Sequence, residues 1–249
     1  MAKLSPKHTF DKRREFERKA AEACAEVAHV LIIDYLRGWN KATKKNIRLA
    51  KKALRKAYDL DPKVALAHLA DGKIREVEGD LKGEVEALNE ALAIDKDLLD
   101  AHAHMANAHI LLGDAKEALA VLSKAPPPSR GDPELGLFDW FKGRAYFHLK
   151  DYDQAIYWLQ KSIDERPTTW FSWAHLISAY ALKGRLAQPE AKAALTTYRK
   201  EFLKDWPLDP KIRNYYKQPK YNGAYSELQA ALKELFKGLE IAKEKADFP

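Results

Sequence analysis

Histidines are the first side chains in this sequence that could do chemistry. There are eight in a chain of 249 residues. His102, His104 and His109 share one stretch, and His68 precedes His102 by 34 residues. Two histidines that bind one metal ion from a single helix need a spacing of three or four, which places both rings on one face. The spacings here are two, five and seven, and no His-Glu-x-x-His arrangement exists. The histidines therefore read as packing or solvated groups, with no metal site and no cofactor. Other chemistry is equally sparse. No Gly-x-Ser-x-Gly occurs, and no Ser or Cys has identifiable catalytic partners. No Gly-x-x-x-x-Gly-Lys-Ser/Thr loop is present to cradle a phosphate. The single cysteine, Cys24, reads as a small buried apolar residue. Asp151 and Asp153 stand where a helix begins and complement its dipole. The chain is expected not to be an enzyme.

Charge points the same way. The net charge is +7, and Arg37 to Lys56 carries nine Lys or Arg residues with no acid among them. Such an array could release counterions from nucleic acid. No aromatic residue is interleaved between Lys41 and Lys56 to stack on bases. The acidic stretch Glu76–Asp100 follows, so the run reads as the solvated face of a helix whose other face carries Ile47, Ala50, Leu54 and Ala57. Nucleic acid is not an expected partner. The longest apolar run, His29–Ile33, is far too short to span a membrane. The polar, basic start from Met1 to Arg18 has no apolar core of a leader peptide. The chain reads as cytoplasmic.

The elements around these residues are helical. Ala, Leu, Lys and Glu dominate, and all four favour helix. Phe10 to about Leu36 lacks Gly and Pro and predicts one long helix, with Phe16, Ala20, Ala23, Val27, Val30 and Leu31 on its apolar face. Beyond it the chain repeats itself. Gly38 and Gly72, Ala57 and Ala91, His68 and His102, Gly79 and Gly113, and Leu88 and Leu122 all lie 34 residues apart. Gly143–Pro167 is the clearest unit: one helix with Gly143, Tyr146 and Leu149, a turn at Lys150-Asp151, and a second helix with Ala155, Leu159 and Ser162.

A two-helix unit recurring every 34 residues resembles the tetratricopeptide repeat family. The resemblance covers five blocks, roughly 31–64, 65–98, 99–125, 136–169 and 170–205. It implies an all-α, right-handed helical solenoid of about five helix pairs with capping helices at both ends. The expected organisation is a tail and capping helix over 1–36, repeats one to three over 37–125, a Pro-rich break over 126–135, repeats four and five over 136–206, and a capping segment over 207–249. Pro189 starts the last repeat helix, and Ala224 to about Lys245 predicts the final cap. A narrower similarity rests on Asp34–Gly38, Thr43–Ile47, Leu60–Pro62, Asp132–Phe138 and Tyr225–Gly238. It is to the repeat region of some bacterial adenylate/guanylate cyclases and winged-helix regulators.

In the family, the first helices of the repeats line a concave groove that binds protein or peptide segments. The resemblance places Trp39, Lys73, Asn107, Arg144 and Ser178 at one equivalent groove place along the five repeats. Tyr35, Leu69, Glu76, Ala103, Ile110, Trp140, Phe147, His148 and Phe171 stand beside them. Lys73, Asn107 and Arg144 are the expected donors and Trp140 and Phe147 the apolar anchors, with His148 and Ser178 completing the candidate peptide site. The family's carboxylate clamp for chaperone tails is not reproduced around Lys73 and Asn107. Two other readings stand beside a peptide-binding module. The narrower resemblance implies a regulatory module that senses a small ligand, and the third is a scaffold, natural or redesigned, that serves by its shape or self-assembly.

Overall fold

The computed structural model describes residues 6–37, 43–129, 135–167, 170–202, 233–234 and 237–242. Among them there are ten helices of four residues or more before residue 203 and no strand, as an all-α chain requires. The chain divides into two compact units, 1–104 and 105–249. The first holds α1 (Pro6–Arg37), α2 (Lys44–Leu60), α3 (Ala65–Glu78), α4 (Leu81–Ile94) and the start of α5 (Leu99–Leu111). The second holds the rest of α5, then α6 (Ala115–Lys124), α7 (Leu135–His148), α8 (Tyr152–Glu165), α9 (Trp170–Leu182) and α10 (Pro189–Phe202). Residues 237–242 are also helical. The expected groove residue Trp39 and most of the expected Ala224–Lys245 helix lie outside the described residues.

The same local devices recur in each pair. The turn between the two helices passes through the left-handed region, at Gly79 (φ 81°), Gly113 (φ 86°), Lys150 (φ 61°) and Gly184 (φ 71°). After the first three of these, an aspartate caps the next helix. The Asp80, Asp114 and Asp151 carboxylates accept from the backbone N–H of Gly83, Glu117 and Gln154. This satisfies donors the helix itself leaves open. Thr43 starts α2 with a reciprocal capping box to Asn46. Asp61 and Asp95 end α2 and α4, and their side chains accept from Lys63 and Asp97.

One further device explains two of the histidines. His68 Nε2–H donates to the Pro62 carbonyl and His102 Nε2–H to the Lys96 carbonyl, both at 2.9 Å. Trp173 Nε1–H does the same for the Pro167 carbonyl at 2.8 Å. In each case a ring near the start of a first helix reaches back six residues to a carbonyl of the preceding connection. The expected packing role of His68 and His102 is thus made specific: they are ring N–H donors that tie off a loop.

Close approach governs the packing inside the pairs. A Cβ built on Gly143 would lie 2.6 Å from Leu159 Cγ and 3.0 Å from the Leu159 backbone nitrogen. On Gly72 it would lie 3.0 Å from Leu88. Leu159 and Leu88 are fully buried, so each first helix lies directly on a leucine of its second helix. Ser162 joins the fourth pair to α9: its hydroxyl donates to the Gly136 carbonyl at 2.7 Å and lies 3.0 Å from the Ser172 hydroxyl.

The long first helix forms as expected but turns a different face inward. Ala21, Ala25, Ala28 and Ile32 are buried against Ala50, Leu54 and Ala57 of α2 and Ala67, Ala70 and Ile74 of α3. The expected face is largely outside: Phe16 is 73%, Val27 53% and Val30 59% exposed. Alanine wins the interior because α1 packs on two alanine-lined helices, and a smooth surface lets three backbones approach.

The turns generate a stability prediction. Lys150 holds the left-handed conformation that glycine holds in the equivalent turns, and an L side chain there costs about 1–2 kcal/mol. Part of that is returned by the unfolded-state freedom a glycine adds. Lys150→Gly is expected to stabilise the chain by about 0.5–1 kcal/mol, read as a higher urea midpoint. Gly79→Ala is expected to do the opposite.

Candidate functional site

The expected site residues separate into two networks, one in each unit. None of six presents its side chain to solvent: Lys73, Asn107, Trp140, Arg144, Phe147 and Ser178 are all at most 6% exposed. His148 is half-buried.

In the first unit Lys73 is an answered charge. It sits on α3, 1% exposed, and its ammonium donates to Asp100 Oδ2 of α5 at 2.7 Å. It also lies 3.0 Å from His29 Nε2 of α1, and that nitrogen is 3.3 Å from the same carboxylate oxygen. His104 Nε2 lies 3.6 Å from the other oxygen, Asp100 Oδ1. Burial works against the Asp100 carboxylate, but hydrogen bonding by His29 and Lys73 and the charges of Lys73 and His104 outweigh it. They hold its carboxyl well below the usual carboxylate range. Asp100 and His29 were not legible as partners, because the repeat pattern marks helical faces and says nothing of which acid meets which base.

In the second unit the described residues answer the charge of Arg144 less fully. Arg144 of α7 is 1% exposed. One guanidinium nitrogen, Nη1, donates to Asn107 Oδ1 of α5 at 2.8 Å. Its Nε and Nη2 are buried and have no hydrogen-bond acceptor among the described residues. The guanidinium stands 5.4 Å from the Trp140 ring centre, a cation–π contact, and the buried Trp140 Nε1–H also lacks an acceptor there. Three N–H donors of these two side chains are thus buried with no acceptor among the described residues. Aromatic rings complete the cluster. Trp140 packs on Phe171 with ring centres 4.2 Å apart, and Phe147 lies edge-on to His175 at 5.5 Å. His175 of α9 was not among the expected residues; nothing in the repeat pattern marks it as polar contact. Its Nδ1–H donates to the Phe171 carbonyl at 2.8 Å.

The remaining expected residue, Ser178, meets the C-terminal helical residues. A Cβ on Gly238 would lie 2.6 Å from the Ser178 hydroxyl and 2.7 Å from its Cα. Leu239 and Ala242 are buried. Tyr152 of α8 donates to Glu234 at 3.1 Å. Helical residues of 237–242 are therefore seated against Ser178 of α9.

Burial and the Arg144 charge both keep the nearby imidazoles neutral. The pKa of His175 is lowered to about 3, chiefly by burial and then by Arg144. That of His148 is pushed well below the ordinary value by burial, Arg144 and His175. Between pH 6.5 and about 3 the unfolded chain protonates at residue 175 and the folded chain does not. Stability is therefore lost as pH falls through that window, by about 1.4 kcal/mol per pH unit for this one group. His175→Phe keeps the ring contacts and removes the titration. Its urea-unfolding free energy is expected to fall less steeply than that of the parent between pH 6 and 4. An unchanged slope would show that the ring is protonated in the folded chain.

Tetratricopeptide repeat models match residues 35–98 and 129–168 in one case and 78–137 in another. Together the matches run without a gap from 35 to 168, more than half of the chain. No curated protein matches the sequence. Among solved structures, the chain is similar to pilF of Pseudomonas aeruginosa, with a TM-score of 0.65 and 20% identity over 93% of this chain and 99% of that one. It is also similar to PilW, described as a widely conserved type IV pilus biogenesis factor, with a TM-score of 0.62 and 20% identity over 89% and 98% of the two chains. MamA from Desulfovibrio magneticus RS-1 gives a TM-score of 0.55 and 17% identity over 71% of this chain and 94% of that one. At these identities the structures speak for the fold alone. The helix pairs, the recurring turns and caps and the matches over more than half of the sequence agree, and the chain belongs to the tetratricopeptide repeat proteins.

Proposed function

We propose that the chain is a non-catalytic protein-interaction module that takes an acidic peptide segment at Arg144. The observation that carries this reading is the donor imbalance in the second unit. Arg144 Nε, Arg144 Nη2 and Trp140 Nε1 are buried N–H groups without acceptors among the described residues. A buried donor left unmade costs about 1–3 kcal/mol, and more when charged. A carboxylate from a partner supplies both the acceptors and the missing negative charge, and arginine presents its fork to a carboxylate in a bidentate manner. Trp140, Phe147 and Phe171 furnish the apolar anchor beside it, and Asn107 fixes the guanidinium. Lys73, already held by Asp100, serves the packing of the first unit. The helix seated at Ser178 supports a helical mode of docking, in which an amphipathic segment lays one face along first helices. The imidazole of His175 beside Arg144 donates to the Phe171 carbonyl and packs on Phe147, which fits a binding role. Likewise the basic face of α2 reads as solvated surface, and no described helix is long and apolar enough to cross a membrane.

Fluorescence titration with synthetic peptides tests the proposal, comparing Asp/Glu-containing sequences with their Asn/Gln counterparts. Acidic peptides are expected to bind at least about tenfold more tightly. Arg144→Gln is expected to remove that preference while circular dichroism shows helices intact. Equal binding of both peptide sets by the parent and by Arg144→Gln would sink the assignment. Gly238→Leu, which wedges the C-terminal helix away from Ser178, is expected to raise peptide affinity if the two compete for one face.

A further inference from the structure

A second buried cluster has no part in that reading. Glu76 on α3, Glu84 on α4 and His104 on α5 bring one ligand atom each to within 4.8 Å of one another. Glu76 is 3% exposed and Glu84 fully buried, and the His104 side chain is 13% exposed. All three belong to the first unit. The geometry points to a site for one divalent transition-metal ion of the zinc type, held by Glu76, Glu84 and His104 and tying three successive helices together.

Four features carry this assignment. Two carboxylates brought this close in a buried setting favour a divalent cation between them. The third group is an imidazole turned the right way. His104 Nδ1 faces the cluster, 3.5 Å from Glu76 Oε2, and is buried without a hydrogen-bond partner. Its other nitrogen, Nε2, lies 3.6 Å from Asp100 Oδ1. A carboxylate behind a histidine is the arrangement that orients a metal-bound imidazole and fixes which nitrogen faces the ion. Asp100 is itself held by Lys73 at 2.7 Å. Finally, two oxygens and one nitrogen leave a fourth tetrahedral position for water, a set suited to zinc, cobalt or manganese and not to calcium, which takes six to eight oxygens. The sequence concealed the set because its members come from three helices, whereas a spacing search sees pairs within one.

The test uses the full chain freed of metal by a chelator. One equivalent of Zn²⁺ is expected to bind by calorimetry. At free ion about a hundred times the dissociation constant, the melting temperature is expected to rise by about 5–10 °C. Co²⁺ is expected to give the visible absorption of a tetrahedral N/O site. Glu84→Gln and His104→Gln, both close in volume to the residues replaced, are expected to abolish the one-equivalent binding and the Zn²⁺ shift. Their folding is checked by circular dichroism without metal. The chain carries other histidines, so zinc binding that persists in both variants would place the ion elsewhere and overturn the assignment. Equal stabilisation by Ca²⁺ would also overturn it. So would a Glu84→Gln protein more stable than the parent with no Zn²⁺ response in either, which would mean that a shared proton replaces the ion.

Discussion

The distance between the two helices of a pair is the constraint on which the rest of the structure depends. Gly143 lies so close to Leu159 that even a methyl group would strike the leucine side chain and crowd its backbone. Gly72 approaches Leu88 a little less closely, a Cβ there lying 3.0 Å from the leucine side chain. With the second helices drawn in this far, the first helices carry buried faces on several sides, as α9 shows with ten buried residues from Ser172 to Ala181. Polar side chains on such a helix cannot reach water. Lys73, Arg144, Asn107 and Ser178 are buried because their helices are packed tightly, and each must find its partner inside the protein or from a ligand.

Lys73 and Arg144 show two outcomes of that requirement. They occupy equivalent places in their repeats, and each is 1% exposed. Around Lys73 the chain provides Asp100 and His29 within 3.0 Å. Around Arg144 the described residues provide one amide oxygen and an aromatic face. A buried ion pair is marginal for stability, but a buried charge lacking its counter-ion is strongly destabilising. Among the described residues Arg144 has no such counter-ion, so its setting differs from that of Lys73.

The residues that built the fold were legible because they obey short-range rules. The 34-residue period, the turn glycines and the capping aspartates each act within a few residues of themselves, so spacing alone locates them. Lys150 shows the limit of that reasoning: the turn was placed correctly, but its left-handed backbone is hidden behind a residue type that rarely adopts it. The inner face of α1 was misplaced for a different reason. Counting apolar residues favours Phe16, Val27 and Val30 by size, whereas contact with two alanine-lined helices selects Ala21, Ala25 and Ala28 by smoothness. The candidate sites were legible only in part. Family geometry pointed to Arg144 and Lys73, but their partners come from other helices and no periodicity encodes those pairings.

His104 shows most plainly why side-chain chemistry escapes a one-dimensional reading. In sequence it stands two residues from His102, and spacing treats the two alike. In the fold, adjacent residues on a helix separated by two positions point about 200° apart. His102 turns back to the Lys96 carbonyl and closes a loop, while His104 faces α3 and meets Glu76 and Asp100. One ring has an accepting carbonyl and needs nothing more from its protonated nitrogen. The other stands between carboxylates on two helices, where an imidazole can bridge a counter-charge on one side and a cation on the other. Neighbouring histidines on one helix thus serve separate ends, fixed by the direction of each Cα–Cβ bond and by what the next helix presents.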